Sequence, residues 1–187
     1  MHNTLKHGCN RRMNIQLVIL DRDGVINHDS DNYIKTTDEW QPIEGSLEAI
    51  ARLTQAHIKI GIATNQSGVA RGLFSQADLD AMHAKMQNLI TAVGGKINAL
   101  ELCPHGPDEN CACRKPKPEM LLRIMKTLRV APEQTLFVGD SFKDFEAATA
   151  ANGHFALVKT GKGERTLAQD ADALQDTRVY ATLWHLV

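Results

Sequence analysis

Residues 15–24 read IQLVILDRDG, an apolar run that ends abruptly at two aspartates separated by one arginine. A short apolar run bounded by charged residues is typical of a strand that is buried on both faces of a parallel sheet. The run is too short to cross a membrane or to form the core of a signal peptide. The stretch therefore predicts a central strand over 15–20, with carboxylates in the loop that follows it.

Strand and helix patterns alternate through the rest of the chain. Apolar runs predict further strands at 58–63, 97–102, 135–140 and 154–158, and apolar residues at helical spacing predict helices at 46–56, 76–93, 118–129 and 142–152. Ser46 is the expected N-cap of the first helix, and Ser75 followed by Asp78 predicts the start of the second. The alternation indicates an α/β fold, a Rossmann-like three-layer sandwich with a central parallel sheet.

The composition is that of an ordinary globular domain. The chain has 187 residues, of which 43% are hydrophobic and 23% are charged, enough for one domain with a core. Basic and acidic residues number 21 and 22, and this balance argues against a general nucleic-acid or membrane binder. We expect one domain over 14–187, preceded by a disordered leader at 1–13.

Cysteine usage bears on the compartment. The chain has four cysteines and no apolar run long enough to span a membrane. We expect a cytoplasmic monomer in which the cysteines are metal ligands or thiols rather than disulfides.

Unusual polar residues follow four of the predicted strands. Asp21 and Asp23 follow the first strand, Thr64 the second, the cysteine-rich loop at 103–118 the third, and Asp140 the fourth. The carboxyl ends of parallel strands lie at one edge of a sheet, and open α/β folds bind their ligands there. We therefore expect the four loops to meet in one pocket.

Each of these loops also has an ordinary explanation. Aspartate and glycine in DRDG (21–24) favour turns. A calcium loop that starts at Asp21 is excluded, because its sixth and twelfth positions hold Ile26 and Asn32 instead of glycine and glutamate. The stretch TNQSG (64–68) is either a plain polar loop or a phosphate site built from its hydroxyl and amide groups.

The two remaining loops leave similar alternatives. Lys115 is either a solvated surface lysine or a point charge that neutralises a phosphate, and the flanking Pro116 restricts the backbone beside it. Asp140 and Asp144 either cap a helix or, in the case of Asp140 with Asp21, hold Mg²⁺, which prefers a few carboxylates together with water and phosphate.

The loop CPHGPDENCACRKPKP (103–118) contains three cysteines and a histidine at the spacing C-x-H-x5-C-x-C. Four such ligands suit tetrahedral zinc and leave no position for water, which predicts a structural site. Buried cysteines with an incidental histidine are the alternative, and their clustering in a polar loop argues against it. Zinc would fix an otherwise irregular loop and so orient Arg114 and Lys115. The predicted ligands are Cys103, His105, Cys111 and Cys113.

In order and strand context the four loops resemble those of the haloacid dehalogenase-like phosphohydrolases, over residues 15–160. The resemblance implies that Asp21 is the nucleophile, which attacks phosphorus and becomes an aspartyl phosphate. It also implies that Asp23 is the general acid and base, which protonates the leaving oxygen and then activates water. A non-catalytic, zinc-stabilised binding module is the alternative, and it would be expected to lack the nucleophile or a metal carboxylate.

The same resemblance implies two further groups of contacts. Magnesium would be bound by Asp21, the backbone carbonyl of Asp23, and Asp140. The transferred phosphoryl group would lie against Thr64 and Lys115. Magnesium and lysine would reduce the charge repulsion between the nucleophile and a phosphate dianion.

One position departs from the family pattern. Relatives often carry lysine directly after the aspartate of the fourth loop, where this chain has Ser141. The departure puts one polar contact in doubt, for which Lys143 is a candidate replacement. Asp144 is expected to support the metal ligands and not to bind the metal itself.

A zinc loop that ends in CxCRKP is similar to that of a subgroup with a minimal cap. Two phosphatase families of this subgroup compete, one acting on the 7-phosphate of D-glycero-D-manno-heptose 1,7-bisphosphate and the other on histidinol phosphate. LDRDGVIN (20–27), TNQSGVARGLF (64–74) and the spacing through 32–45 look like the heptose family, which would place the chain in lipopolysaccharide precursor synthesis. Arg71 is either a contact for a second phosphate or a surface charge.

With a minimal cap, the pocket walls would come from the loops at 27–34, 64–74 and 105–115. Beyond the catalytic and metal residues, the expected contacts with a small sugar bisphosphate are Asp29, Ser30, Asn32, Tyr33, Asn65, Gln66, Ser67 and Arg114.

Overall fold

The computed structural model describes residues 14–187, and the predicted leader at 1–13 lies outside the described residues. Six strands form one sheet in the order β3-β2-β1-β4-β5-β6, and every neighbouring pair is parallel. The strands are β1 (Leu17–Leu20), β2 (Lys59–Asn65), β3 (Ala99–Cys103), β4 (Thr135–Gly139), β5 (His154–Val158) and β6 (Arg178–Tyr180).

Five α-helices accompany the sheet in the described part of the chain. They are α1 (Ser46–Gln55), α2 (Gln76–Ala92), α3 (Glu119–Leu128), α4 (Phe142–Ala150) and α5 (Gly163–Gln169). Short 3-10 helices lie at Pro107–Glu109, Pro132–Gln134 and Leu183–Leu186. Among these described helices, none is both long enough and apolar enough to cross a membrane.

Strand β1 lies between two hydrophobic cores, which explains why all four of its residues are apolar. Val18 and Leu20 pack into the hydrophobic core that includes residues of α1 and α2. Leu17 and Ile19 pack into a second core, with residues of α3 and α4. Successive side chains of a strand point to opposite faces, so a strand covered on both faces needs apolar residues at every position. The predicted α/β sandwich with helices on both faces is confirmed.

The helix starts were predicted with mixed success. The predicted start of α2 is confirmed, since the Ser75 hydroxyl accepts the Asp78 N–H at 3.1 Å and Asp78 Oδ2 accepts the Ser75 N–H at 2.8 Å. The predicted N-cap of α1 is wrong. Gly45 occupies that position with φ 79°, and Ser46 is the first helical residue. The Ser46 hydroxyl instead donates to the Val25 carbonyl at 3.0 Å, which anchors the helix to the β1 loop.

Candidate active site

A pocket of about 450 Å³ opens at the carboxyl ends of the strands. The loops after β1, β2, β3 and β4 contribute to its lining, as does α5. In the strand order found here, the chain turns from one side of β1 to the other between β3 and β4. Such a switch of direction opens a crevice between the loops, where α/β folds bind ligands. The four loops predicted to meet therefore do meet.

Lys115 is the buried cation of this pocket. Its ammonium nitrogen lies 2.8 Å from Asp21 Oδ2 and 2.7 Å from Asp144 Oδ1, and the residue is 3% exposed. Burial by itself would lower the pKa of Lys115, but the adjacent Asp144 and Asp21 outweigh it and raise that pKa. The side chain is therefore a fixed positive charge beside Asp21.

Lys115 is positioned by the loop after β2. The Asn65 side-chain amide donates to the Lys115 carbonyl at 3.2 Å, and Asn65 Oδ1 accepts the Lys115 N–H at 3.1 Å. Both ends of the Asn65 side-chain amide thus hold the backbone of the lysine, and the expected contact of Asn65 with substrate stays a prediction. The paired hydrogen bonds join two loops that are fifty positions apart in sequence.

Three carboxylates lie close together in the pocket, and two of them, Asp21 and Asp144, contact Lys115. One oxygen each from Asp21, Asp140 and Asp144 lie within 4.8 Å of one another. Burial raises the pKa of Asp21 to about 7, although Lys115 opposes the shift. Burial together with the charges of Asp144 and Asp21 raises the pKa of Asp140 to about 8. The cluster has three carboxylates and Lys115 contacts only two of them, and this excess of negative charge fits a hard divalent cation such as Mg²⁺.

Asp23 has a different environment from Asp21. The buried Arg22, which is 1% exposed, donates to both carboxylate oxygens of Asp23 at 3.0 Å. Asn27 donates to Asp23 Oδ1 at 2.8 Å, and Gln66 donates to Oδ2 at 2.7 Å. Burial by itself would raise the pKa of Asp23, but Arg22 and these hydrogen bonds outweigh it and lower that pKa. The pKa values of the two aspartates of the DRDG loop are therefore shifted in opposite directions.

Gln66 connects Asp23 to the loop after β2. The Gln66 amide that donates to Asp23 also donates to Thr64 Oγ1 at 3.0 Å, and its oxygen accepts from Arg22 at 3.0 Å. The Arg22 guanidinium also lies 3.3 Å from His83 Nε2 on α2. Sequence reasoning did not single out Arg22 or His83. No pattern in the chain signals that the arginine between two aspartates is buried.

The cysteine-rich loop brings its four candidate ligands together. Cys111 Sγ lies 3.5 Å from Cys103 Sγ and 3.6 Å from Cys113 Sγ. The His105 Nδ1 atom lies 3.6 Å and 3.3 Å from the sulfurs of Cys103 and Cys113. Ligand atoms around tetrahedral zinc are about 3.5–3.8 Å apart for Zn–S bonds of about 2.3 Å. Disulfide sulfurs would lie about 2.05 Å apart. The cluster therefore fits zinc.

The zinc loop also supports the pocket. Arg114 Nη1 donates to the His105 carbonyl at 3.1 Å, which links the guanidinium to a predicted zinc ligand. Lys117 donates to the Cys111 carbonyl at 2.7 Å and to Asn110 Oδ1 at 3.1 Å. Arg114 lines the active-site pocket, and Lys117 fixes the turn behind it.

Most of the predicted contact residues line the pocket, and two positions do not. Asn32 is exposed and lies outside the lining, where its neighbour Asp31 takes part instead. Arg71 is exposed and also lies outside. The predicted residues in the lining are Asp21, Asp23, Asp29, Ser30, Tyr33, Thr64, Asn65, Gln66, Ser67, Arg114, Lys115 and Asp140.

One wall of the pocket was missed altogether. The segment from Lys162 to Asp170, which includes α5, contributes Lys162, Arg165, Thr166, Gln169 and Asp170 to the lining. Lys162 Nζ lies 2.8 Å from Asp29 Oδ2 across the pocket. The sequence held a signal for this wall, since the polar stretch TGKGERT (160–166) directly follows the fifth strand. The rule that ligands bind at the carboxyl ends of parallel strands, applied also to the fifth strand, would have identified this wall.

Ser141 and Lys143 both line the pocket. The Ser141 hydroxyl donates to Asp144 Oδ2 at 2.6 Å, and the Ser141 N–H donates to the same oxygen at 3.1 Å. Asp144 therefore caps α4 with one oxygen and pairs with Lys115 through the other. Asp144 is therefore both a helix cap and a member of the charged cluster.

Comparison with known proteins assigns this architecture to a family. Residues 10–152 match the family model of the haloacid dehalogenase-like hydrolases. A D-glycero-beta-D-manno-heptose-1,7-bisphosphate 7-phosphatase from Pseudomonas putida is 56% identical over 153 residues, which cover 82% of this chain and 87% of the relative.

Two solved structures are similar over nearly the whole chain. The D,D-heptose 1,7-bisphosphate phosphatase from Bordetella bronchiseptica, complexed with magnesium and phosphate, is 49% identical with a TM-score of 0.88, and the match covers 92% of this chain and 96% of that one. The D,D-heptose 1,7-bisphosphate phosphatase from Burkholderia thailandensis is 42% identical with a TM-score of 0.71, and the match covers 91% and 95% of the two chains.

Proposed function

The chain belongs to the haloacid dehalogenase-like hydrolase family, and from that premise we propose that it removes the 7-phosphate of D-glycero-D-manno-heptose 1,7-bisphosphate. The observation that carries the proposal is the buried Lys115, held between Asp21 and Asp144 at the bottom of a polar pocket. A fixed cation in contact with a carboxylate suits a site that must bring a nucleophilic carboxylate up to a phosphate dianion.

In the first step a carboxylate oxygen of Asp21 attacks phosphorus. The bond between phosphorus and the sugar oxygen breaks, and Asp23 gives its proton to that oxygen. In the second step a water molecule loses a proton to Asp23 and attacks the aspartyl phosphate, which releases inorganic phosphate and regenerates Asp21. Covalent catalysis of this kind divides one difficult transfer into two easier steps.

The environment of Asp23 favours its ionised form in the described structure, which suits the step that accepts a proton from water. The first step needs the protonated form. A phosphate dianion bound beside Asp23 raises the pKa of that carboxyl, because a second negative charge disfavours ionisation. Substrate binding therefore shifts Asp23 toward the protonated form that the first step requires.

The residues proposed to hold Mg²⁺ are Asp21, Asp140 and the backbone carbonyl of Asp23. When bound, Mg²⁺ reduces the repulsion between the nucleophile and the phosphate oxygens. Lys115 contributes a second positive charge to the same cradle, and Thr64 donates a hydrogen bond to the phosphoryl group. Asp144 holds the ammonium group of Lys115 at its place through the contact of 2.7 Å.

The zinc cluster has a structural part in this proposal. Cys103, His105, Cys111 and Cys113 would fill all four positions of a tetrahedral zinc ion and would leave none for a reacting water. The ion would fix the loop that ends at Arg114 and Lys115. A metal site therefore supports the catalytic site from one side.

The pocket also suits a substrate with two phosphates. Besides Lys115, its lining includes Arg114, Lys143, Lys162 and Arg165. Lys162 pairs with Asp29, and Arg165 Nη2 lies 3.7 Å from Asp31. Arg114 can form two parallel hydrogen bonds to a phosphate, which lysine cannot. The terminal phosphate would enter the Asp21 cradle, and the sugar with its second phosphate would lie outward toward these cations.

We also propose that residues 14–187 act as one catalytic domain and as a monomer in the cytoplasm. A compact domain with nearly balanced charges, 21 basic and 22 acidic residues, is compatible with a monomer. The zinc cluster needs reduced cysteines, and these persist in a reducing compartment.

Phosphorus NMR of the product tests the proposed reaction. Purified protein with Mg²⁺ is incubated with heptose 1,7-bisphosphate and, in parallel, with histidinol phosphate. We expect the 7-phosphate resonance to be replaced by inorganic phosphate while the 1-phosphate resonance remains. Release of the anomeric phosphate, or faster hydrolysis of histidinol phosphate, would refute the proposed substrate and leave the phosphatase chemistry in place.

A further inference from the structure

The segment 160–166, which joins β5 to the first turn of α5, contacts the loops of the active site at three points. The Thr160 hydroxyl donates to the Gly24 carbonyl at 2.6 Å. The Thr166 hydroxyl donates to the Asp140 carbonyl at 2.9 Å, and the Lys162 N–H donates to Asp140 Oδ2 at 2.7 Å. One short segment therefore holds the DRDG loop and both the backbone and the side chain of Asp140.

Two glycines pack against the Asp140 carboxylate. A Cβ atom on Gly24 would lie 2.1 Å from Asp140 Oδ2, and one on Gly161 would lie 2.2 Å from the same oxygen. Both glycines have positive φ, 82° and 60°, a conformation that residues with side chains rarely adopt. The backbone of segment 160–166 and that of the DRDG loop thus enclose the carboxylate between them.

This arrangement leaves the two carboxylate oxygens of Asp140 in different situations. Oδ2 accepts the Lys162 N–H. Oδ1 accepts no hydrogen bond from residues 14–187 and stays available as a ligand, in a residue that is 3% exposed. Carboxylates that bind metals are themselves held by hydrogen bonds, which fix the direction of the free oxygen.

We propose that segment 160–166 is a positioning element for the divalent-cation site. Thr166 and the Lys162 N–H hold Asp140, and Thr160 holds the backbone next to Asp23 through Gly24. The inference rests on the proposed magnesium site and is independent of which phosphate ester is the substrate. Loss of such supporting contacts costs about 10- to 100-fold in metal affinity.

Thr166→Val removes the hydroxyl at nearly constant volume. Isothermal titration calorimetry gives the dissociation constant for Mg²⁺. A second measurement gives the Mg²⁺ concentration for half-maximal hydrolysis of p-nitrophenyl phosphate. We expect Thr166→Val to raise both by about 10-fold or more. Thr160→Val should raise them in the same direction, and it decides the question if Thr166→Val does not fold.

Two variants serve as controls. Thr166→Ser restores the hydroxyl and should return the Mg²⁺ affinity to within about twofold of the unaltered protein. Thr135→Val also removes a hydroxyl that a buried threonine donates to a backbone carbonyl, that of Ala131 at 2.9 Å. It lies at the opposite end of β4 from the pocket, so it should lower thermal stability and leave Mg²⁺ affinity unchanged.

The outcomes separate this inference from the proposed reaction. If Thr166→Val and Thr160→Val lower the melting temperature and bind Mg²⁺ as the unaltered protein does, the segment is merely structural and the inference is wrong. If the unaltered protein binds no Mg²⁺, the metal site and the inference are both wrong. If the Mg²⁺ shifts occur and heptose bisphosphate is not hydrolysed, the proposed substrate is wrong and the inference stands.

Discussion

At the scale of single residues, the two aspartates of DRDG show how neighbouring side chains acquire different chemistry. Asp21 lies against Lys115 in a cluster of buried carboxylates, whereas Asp23 is held by Arg22, Asn27 and Gln66. The sequence predicted that both carboxylates would face one pocket. It could not predict their opposite pKa shifts, because those depend on the burial of Arg22 and on contacts from distant loops.

Asp21→Asn tests the nucleophile. The amide keeps the shape of the carboxyl group but is a poor nucleophile, so we expect kcat to fall on the order of 10⁴-fold or more. The fold should persist, since the change removes one negative charge from a crowded acidic cluster. Turnover is measured on p-nitrophenyl phosphate and folding by circular dichroism. Asp38→Asn, at an exposed position, is the matched control, and near-normal turnover in a homogeneous Asp21→Asn preparation would rule out the assignment.

His83 makes a second prediction at this scale. The side chain is buried beside Arg22, and burial followed by the charge of Arg22 lowers its pKa from 6.5 to about 4. Between these two pH values the unfolded chain takes up a proton on His83 that the folded protein does not. Unfolding therefore becomes easier as the pH falls from 6.5 to 4.

His83→Gln should remove that part of the acid sensitivity. Urea unfolding is measured at several pH values, and the free energy of unfolding of the unaltered protein should fall by on the order of 2–3 kcal/mol more than that of the variant across this window. His57→Gln changes an exposed histidine and is the matched control. Parallel curves for the unaltered protein and His83→Gln would show that His83 is not a buried neutral group.

At the scale of elements, the zinc loop is the clearest case of a local motif that supports a distant function. Elemental analysis should find about one zinc per chain. Cys111→Ser should lose the zinc, and kcat/KM should fall because the loop no longer holds Arg114 and Lys115 in place. Cys9→Ser, at a cysteine outside the motif, is the control and should retain both zinc and activity. Full zinc content in Cys111→Ser would exclude Cys111 as a ligand.

The capping box of α2 allows a prediction about stability alone. Ser75→Ala removes the hydroxyl that accepts the Asp78 N–H, and the melting temperature should fall by about 2–4 °C. Ser75→Asn keeps an acceptor oxygen and should restore most of the loss. Both variants should retain normal kcat, since this helix end lies outside the pocket lining. An unchanged melting temperature in Ser75→Ala would mean that the cap contributes little here.

The elements divide into those that the sequence could predict and those that it could not. Strands β1 to β5 are apolar runs between helices with an apolar face, so local pattern and tertiary environment agree. Helix α5 has seven residues, GERTLAQ, and β6 has three. Such short, polar elements carry too little periodicity to be recognised. Strand β6 forms by pairing with the edge of β5, and this pairing is a tertiary property that the local sequence pattern does not contain.

At the scale of the whole molecule, the pocket is assembled from loops that span most of the chain, from Asp21 to Asp170. The predicted wall at 64–74 is shorter in the structure, where the lining ends at Ser67. Helix α5 supplies the opposite wall instead. The cations of the lining differ in burial, since Arg22 and Lys115 are buried whereas Lys143 and Arg165 are exposed.

Arg114 and Arg71 differ in their position relative to the pocket. Arg114 lines the pocket and is tied to the zinc loop through the His105 carbonyl, whereas Arg71 is exposed outside the lining. If the second phosphate of the substrate lies at the opening, only the first of these side chains can reach it. Comparing heptose 1,7-bisphosphate with an ester that has no second phosphate then separates binding of that phosphate from the chemistry at Asp21.

Arg114→Ala should therefore change selectivity more than catalysis. Hydrogen bonds to a charged partner contribute about 1.5–3 kcal/mol, so kcat/KM for heptose 1,7-bisphosphate should fall by about 10- to 100-fold. For p-nitrophenyl phosphate, which has no second phosphate, the fall should be much smaller. Arg71→Ala is the matched control and should leave both values unchanged. An equal loss on the two substrates would place Arg114 with the groups that position Lys115, because a contact with the outer phosphate cannot affect an ester that lacks one.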